Sequence, residues 1–371
     1  MTENNTETPA KSAPTATLPF PIASRAMTRF SEQVTSPLSG AGITPLAPIQ
    51  LPAVGYLRKL QLKVEVTTTA GTGFPGDGPF NILSRVSFDT AAGNNIVVPY
   101  TGYELYLLNK YGHPTVPAPY SDPKYIAYST TSGTAATFYL DIPFELDSET
   151  AWGSIPALAS NRSYKLNISL APYTVVTAAT GGSVTVTAVA HYWSEPPAQS
   201  ASGISQDTQP MGLGTVSQWQ LDSHSVTPGD KLLKLSNVGN FMRSVIFVSR
   251  TAAGARTSAD WPALTELYLD NEPMMYLPKA DWERYMRQWF GLASTGADTA
   301  NGLDTGVYVI PFNALVGATS GNVTNSRSQY LPTLDSSQLQ IRGQNFGASI
   351  SSVSIMTNAV VPTTSADVYS K

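Results

Sequence analysis

The sequence predicts an all-β protein built from two copies of one β-rich unit. Three observations predict it. Short runs with alternating apolar and polar residues are split throughout by Gly, Pro, Asn and Ser, with 28 glycines and 28 prolines in 371 residues. Landmarks of the first half recur, in the same order, in the second. Charged residues make up only 13% of the chain, about half the roughly 25% of a typical soluble protein, while the hydrophobic share of 42% is ordinary.

Residues 1 to 50 read as an extended arm, because Pro14, Pro19, Pro21, Pro37, Pro45 and Pro48 forbid a continuous helix or a central strand. Within the arm, Ile22, Ala26, Phe30 and Val34 recur at i+4, with Arg25 and Arg29 elsewhere on the wheel and Pro21 at the first helical position. This spacing predicts a short amphipathic helix over Pro21 to Val34. Two roles stand for it. Ile22 and Phe30 would enter an apolar membrane boundary while Arg25 and Arg29 meet anionic headgroups, or the segment straps across a neighbouring subunit.

After residue 50, Leu60-Gln-Leu-Lys-Val-Glu-Val66 alternates with the period of a half-buried strand. Lys165–Leu170, Val184–Val189, Ser244–Val248 and Val353–Met356 read the same way. Many short strands with frequent turns mean a sandwich, jelly roll or barrel. Two segments read as helices, Pro99–Gly112 and Pro278–Gly291, each opened by Pro and closed by Gly. At one common offset Tyr103 matches Trp282, Glu104 matches Glu283, Tyr106 matches Tyr285 and Leu107 matches Met286. Their aromatic stripes are read as core contacts.

Four further pairs keep this order. Val54-Gly55 recurs as Val238-Gly239, and Phe88-Asp89 as Leu269-Asp270. Ile142-Pro143-Phe144 recurs as Ile310-Pro311-Phe312, and Leu166-Asn-Ile168 as Leu339-Gln-Ile341. Two copies at so long a period mean duplicated units rather than a solenoid. The expected division is an arm over 1–50, a first unit over 51–200 and a second over 201–371, with Pro196, Pro197, Gly203, Pro210, Gly212 and Gly214 at the break.

Little in the sequence points to chemistry. A net charge of −4 argues against electrostatic nucleic-acid binding. Without cysteine there is no disulfide, thiol catalyst or zinc ribbon. The chain opens without a basic region followed by an apolar run, so no secretory signal is read, and no apolar run reaches the ~18 residues of a membrane span. His113, His191 and His224 are isolated, without the His-x-His pairs of cupin-type barrels. Gly71-Thr-Gly-Phe-Pro-Gly76 matches a dinucleotide fingerprint in letters, but Pro75, Gly78 and Pro79 forbid the helix it must open, so a loop is expected. Asp141, Glu145, Asp147 and Glu149 form an acidic cluster that could serve a glycosidase or bind calcium. A solvated strand end is the preferred reading. Neither a catalytic residue nor a cofactor or metal site is assigned, and the chain is read as a non-enzyme.

The segments Val54–Val64, Asn81–Asp89 and the first helix, then Asp141–Thr150 with Lys165–Ile168, then Leu277–Trp282 with Gly306–Pro311, resemble the double jelly-roll major capsid proteins of tectivirus-like, internal-membrane-containing icosahedral bacterial viruses. The resemblance is a pattern of short pieces over most of residues 50–360, and the Pro-rich arm departs from it. It implies two tandem eight-stranded jelly rolls, each with a short helix, behind an N-terminal arm. It further implies a homotrimeric, pseudo-hexagonal capsomer tiling a virion shell, and contacts with vertex or minor coat proteins. The arm, through Ile22, Arg25, Arg29 and Phe30, would meet the internal membrane or a neighbour. Synthesis in the host cytoplasm and no specific nucleic-acid partner are also implied. The low charge fits extensive interface, since well-packed interfaces are depleted in Lys, Glu and Asp. The competing readings are a tandem β-sandwich binding receptors or carbohydrate, and a glycosidase on a β-scaffold.

Overall fold

The computed structural model describes residues 17–69, 73–90, 95–112, 134–158, 163–176, 180–236, 238–290, 305–312 and 330–362. After the short helix α1 (Phe20–Ala23), the first half contains β1 (Ala26–Pro37), β2 (Thr44–Pro45), β3 (Ile49–Gln50), β4 (Tyr56–Thr68), β5 (Leu83–Asp89) and β6 (Asn95–Tyr100). Helix α2 (Gly102–Leu107) follows, extended by a wider π-type turn over Leu108–Gly112. Then come β7 (Ala135–Pro143), β8 (Ile155–Pro156), β9 (Lys165–Leu170), α3 (Tyr173–Val176) and β10 (Gly182–Trp193). The second half contains β11 (Thr215–Ser225), β12 (Gly229–Leu235), β13 (Phe241–Arg250), β14 (Leu264–Leu269), β15 (Glu272–Pro278), α4 (Lys279–Phe290), β16 (Val307–Pro311), β17 (Leu331–Pro332), β18 (Leu339–Phe346) and β19 (Ser352–Pro362).

The described strands form three sheets, and their order is the same path drawn twice. The first sheet runs β1-β10-β4-β7, with β8 added on β4. Its counterpart runs β11-β19-β13-β16, with β17 added on β13. The opposing sheet of the second half runs β12-β18-β14-β15, and in the first half β6-β5-β9 ends on the two short pieces β2 and β3. All these neighbours pair antiparallel. The repeated landmarks of the sequence fall at equivalent places, on or just before matching strands and on the helix that follows β6 in the first half and β15 in the second. Gly55 and Gly239 both have positive φ, 61° and 92°, and each precedes the strand of its unit that carries the extra two-residue strand.

The halves are joined through a sheet. A parallel bridge between Trp219 of β11 and Val97 of β6 fuses two of the four layers into one 10-stranded sheet. Tyr111 meets Phe290 edge-on at 5.0 Å. Gly112 lies where a Cβ would come within 2.4 Å of the Trp219 ring. Its lack of a side chain therefore serves close packing between the units, rather than the helix cap the sequence suggested. Each unit also packs an aromatic helix into its core. Tyr106 of α2 stacks on Phe80 at 4.3 Å, and fully buried Trp282 of α4 donates its indole N–H to the Val309 carbonyl at 2.8 Å.

Three expectations are corrected. The helix over Pro21–Val34 does not form. After the four residues of α1 the chain becomes β1, paired antiparallel with β10 from Ala26 opposite Trp193 to Pro37 opposite Ser183. A spacing of four residues returns a side chain to the same face of a helix and also to the same face of a strand, so the apolar recurrence could not discriminate. The long ladder to β10 decides. Within residues 26–50, β1, β2 and β3 accordingly pair with strands of the first unit, and this stretch is not part of an arm. Finally, Pro99 lies in β6 and does not open α2. The opening residue is Thr101, whose hydroxyl accepts from the Glu104 N–H while the Glu104 carboxylate accepts from the Thr101 N–H at 2.8 Å, a reciprocal cap.

Candidate assembly surfaces

The four residues singled out at the N-terminus are not brought onto one face. Ile22 lies in α1 and is 71% exposed. Arg25 links α1 to β1, and Arg29 and Phe30 are neighbours on β1. Phe30, 62% exposed, pairs with Val189 on the outward face, whereas Arg29 pairs with Ala190 on the face that carries buried Tyr192. A bulge between Phe30 and Glu32 then reverses the alternation. Met27 and Val34 thus both pack against the core while Phe30, between them, points to solvent. The segment ahead of β1 is anchored. Phe20 is buried against Tyr56, with ring centroids 5.2 Å apart. The Leu18 N–H donates to Ser205 and its carbonyl accepts from Asp207, at 2.9 and 3.0 Å, which ties it to the connection between the units.

The outward face of the first sheet is polar. Thr35 and Thr185 share a hydrogen bond at 2.9 Å, Gln33 donates to Thr187 at 3.3 Å, and Thr28 lies 3.3 Å from His191 Nδ1. Lys59 pairs with Asp141 at 2.7 Å. His191 is held below its ordinary pKa, first by burial and then by Lys59. Against this polar background, large apolar side chains stand out on the outermost strands. They are Phe30 of β1 and Tyr139 of β7 (50% exposed), Leu232 of β12 (52%), and Met274 and Tyr276 of β15 (45% and 66%). Both edges of both smaller sheets therefore present apolar groups beside backbone that no other described strand pairs with, the arrangement that another chain can cover.

Three carboxylates of the acidic cluster are engaged in structure. Glu145 receives Arg58 through Nε at 2.5 Å and Nη2 at 3.2 Å, and also the Trp193 indole N–H at 3.1 Å. Arg58 in turn lies 4.1 Å from the centre of the Trp193 ring. Asp147 closes its own turn by accepting from Glu149 N and Thr150 Oγ1. The Asp141 carboxylate is held by Lys59. Among the described residues no group of three His, Asp or Glu could hold a metal ion. His224 sits opposite Val353, and His113 lies outside the described residues.

One cluster the sequence reading missed spans the two units. Asp77, at the turn that follows Gly76, accepts from Arg256 Nε at 2.5 Å and from Arg250 Nη2 at 2.7 Å. Both guanidinium groups lie over the Tyr103 ring, 4.7 and 5.7 Å from its centre. Arg256 also donates to the Gly76 and Thr305 carbonyls. The glycine-rich segment that mimicked a nucleotide fingerprint thus ends in this clamp and opens no helix other than the three-residue turn Phe80–Ile82.

No family model matches the sequence, and no curated protein matches it. Solved structures do. The crystal structure of the STIV MCP aligns over 91% of this chain and 97% of its own at a TM-score of 0.60 and 13% identity. The PBCV-1 virus capsid aligns over 91% of this chain and 93% of its own, at 0.59 and 10%. The fold is a double jelly roll. The major capsid protein P2 from bacteriophage PM2 aligns over 88% of this chain and 97% of its own, at 0.52 and 12%. The double jelly roll accounts for the repeated strand order, with one roll on each side of the Trp219–Val97 bridge. Five of the exposed apolar side chains, Phe30, Tyr139, Leu232, Met274 and Tyr276, lie on the outermost strands of its two smaller sheets.

Proposed function

We propose that this chain is a major capsid protein, a structural subunit rather than an enzyme. In this reading three copies form a pseudo-hexagonal capsomer, and capsomers tile an icosahedral shell over an internal membrane. The observation that carries the reading is the double jelly roll itself, shared over nearly the whole chain with capsid proteins of viruses. The exposed apolar residues on four sheet edges support assembly, as does a surface short of charge. Three copies of a two-roll subunit present six similar barrels, which suits six-fold packing with closed three-fold symmetry.

Phe30 and Arg29 lie on opposite faces of a strand, so the N-terminal segment does not offer lipid a one-sided helix. Contact with a neighbouring subunit through Phe30 and Ile22 is the role supported here. Among the described residues no helix is long and apolar enough to cross a membrane. Native mass spectrometry of the purified chain tests assembly. A stable species at three chain masses is expected, and a strict monomer at micromolar concentration overturns the proposal. Flotation of the full chain with anionic vesicles tests the membrane contact.

A further inference from the structure

The duplication supplies an internal control for each buried charge, and one charge fails it. In the first roll, β4 pairs with β8 at Tyr56 and Leu57, and a bulge against β10 then follows at Arg58. In the second roll, β13 pairs with β17 at Phe241 and Met242, and a bulge against β19 follows at Arg243. Arg58 and Arg243 are therefore the same position of the fold. Arg58 is partly exposed and has its carboxylate, Glu145.

Among the described residues Arg243 has none. It is wholly buried, and its partners there are neutral. Nε donates to Tyr330 Oη at 3.2 Å, Nη1 donates to Asn358 Oδ1 at 2.7 Å, and the Tyr330 ring lies 5.6 Å away. Nη2 is buried without a hydrogen-bond acceptor among the described residues. The residue after the repeated Ile-Pro-Phe is Glu145 in the first copy and Asn313 in the second, and from Thr305 to Leu334 the sequence holds no Asp or Glu. The cover is contributed by both rolls, since Trp152 of the first stacks on Tyr330 at 6.5 Å and packs with Leu146 and Val360.

An arginine cannot shed its proton to escape burial, and an uncompensated buried cation is among the costliest groups a core can hold. A water could satisfy Nη2 as a hydrogen bond but would leave the charge. We infer that Arg243 is a buried anion-binding site at the junction of the two rolls, and that its ligand is a small inorganic monoanion of the halide class. Full burial argues against a carboxylate brought by a second copy, which could not reach the guanidinium without opening the Trp152–Tyr330 cover.

The test is a thermal melt of the full chain in sodium bromide at constant ionic strength, balanced with gluconate, which is too large for an enclosed site. Between about 10 mM and about 500 mM bromide, Tm should rise by about 2 °C or more for each tenfold increase above the dissociation constant. Two variants should abolish that dependence. Arg243→Met removes the cation, and Asn358→Asp places a carboxylate where the 2.7 Å acceptor now stands. Asn358→Asp also loses the donation from Asn358 Nδ2 to Ser217 and Gln218, so the readout is its halide slope and not its absolute Tm. It keeps the test decisive if Arg243→Met does not fold. Crystals grown in bromide should show an anomalous peak within about 3.5 Å of the guanidinium. A bromide slope equal in wild type and Asn358→Asp, or no slope at all, overturns the inference. So does a Tm that follows protein concentration and not halide, which would mark a second copy's carboxylate.

Discussion

Replacing Asp77 by Ala removes the one carboxylate that the inter-roll clamp shares between two arginines. The side chains of Arg256, Asp77 and Arg250 are 4%, 18% and 22% exposed. The pair is therefore neither a surface bridge, worth about 0–1 kcal/mol, nor a fully buried one, whose disruption costs about 3–5 kcal/mol. Two short charge-assisted bonds are lost, and two guanidinium groups remain over one tyrosine ring with nothing between them. A loss of about 2–3 kcal/mol is expected, lowering the Tm of a chain of 371 residues by about 3–4 °C. Calorimetry of Asp77→Ala, Arg256→Met and the double variant measures it. The double variant should be more stable than the sum of the single losses implies, since Arg256→Met removes the cation that Asp77→Ala strands. Additive losses, or an Asp77→Ala shift below about 1 °C, would refute the claim that this carboxylate holds the rolls together.

The two equivalent glycines should separate when each is changed to Ala. At Gly55 a Cβ would lie 2.0 Å from the Trp193 carbonyl oxygen, whereas at Gly239 nothing stands within 4 Å. In urea titrations Gly239→Ala should lose about 1–2 kcal/mol for its left-handed backbone alone, and Gly55→Ala should lose more or fail to fold. His191, held below its ordinary pKa by burial, takes up its proton at a lower pH in the fold than in the unfolded chain, which protonates near pH 6.5. The stability it contributes is therefore present above that pH and is lost as pH falls toward the folded value. His191→Gln should flatten the fall in Tm below about pH 6.5, and an unchanged slope counts against the assignment. Phe30→Glu and Tyr276→Glu touch exposed edge positions, so monomer stability should move by no more than about 0.5 kcal/mol. The trimer signal in native mass spectrometry should drop, and an undiminished signal removes these edges from the assembly.

Where one face of a strand is buried and the other wet, the sequence was legible. Lys165–Leu170 is β9 residue for residue, and Leu60–Val66 and Val184–Val189 lie within β4 and β10, whereas the runs read within β13 and β19 fall on strands buried largely on both faces. The repeat was legible because five landmarks kept their order, and Ile155-Pro156 against Leu331-Pro332 would have been a sixth. The helix over Pro21–Val34 was misread because its i+4 recurrence suits both periods and a bulge hides the strand phase. The reciprocal cap of Thr101 and Glu104 was available in the letters, but Pro99 was the louder signal. Asp77 and its two arginines could not be read locally. They lie more than 170 residues apart, and only the closure of both rolls brings them together.

The bridge between Trp219 and Val97 has a consequence for the history of the molecule. Two copies that merely stood side by side could be cut apart again and survive as a dimer of halves. Here a severed first half would bare the edge of β6 and leave Gly112 without the Trp219 ring against it, while the second half would keep Tyr330 over Arg243 but lose Trp152 from above it. Each half has come to complete the other, so the duplication can no longer be undone by a single cut.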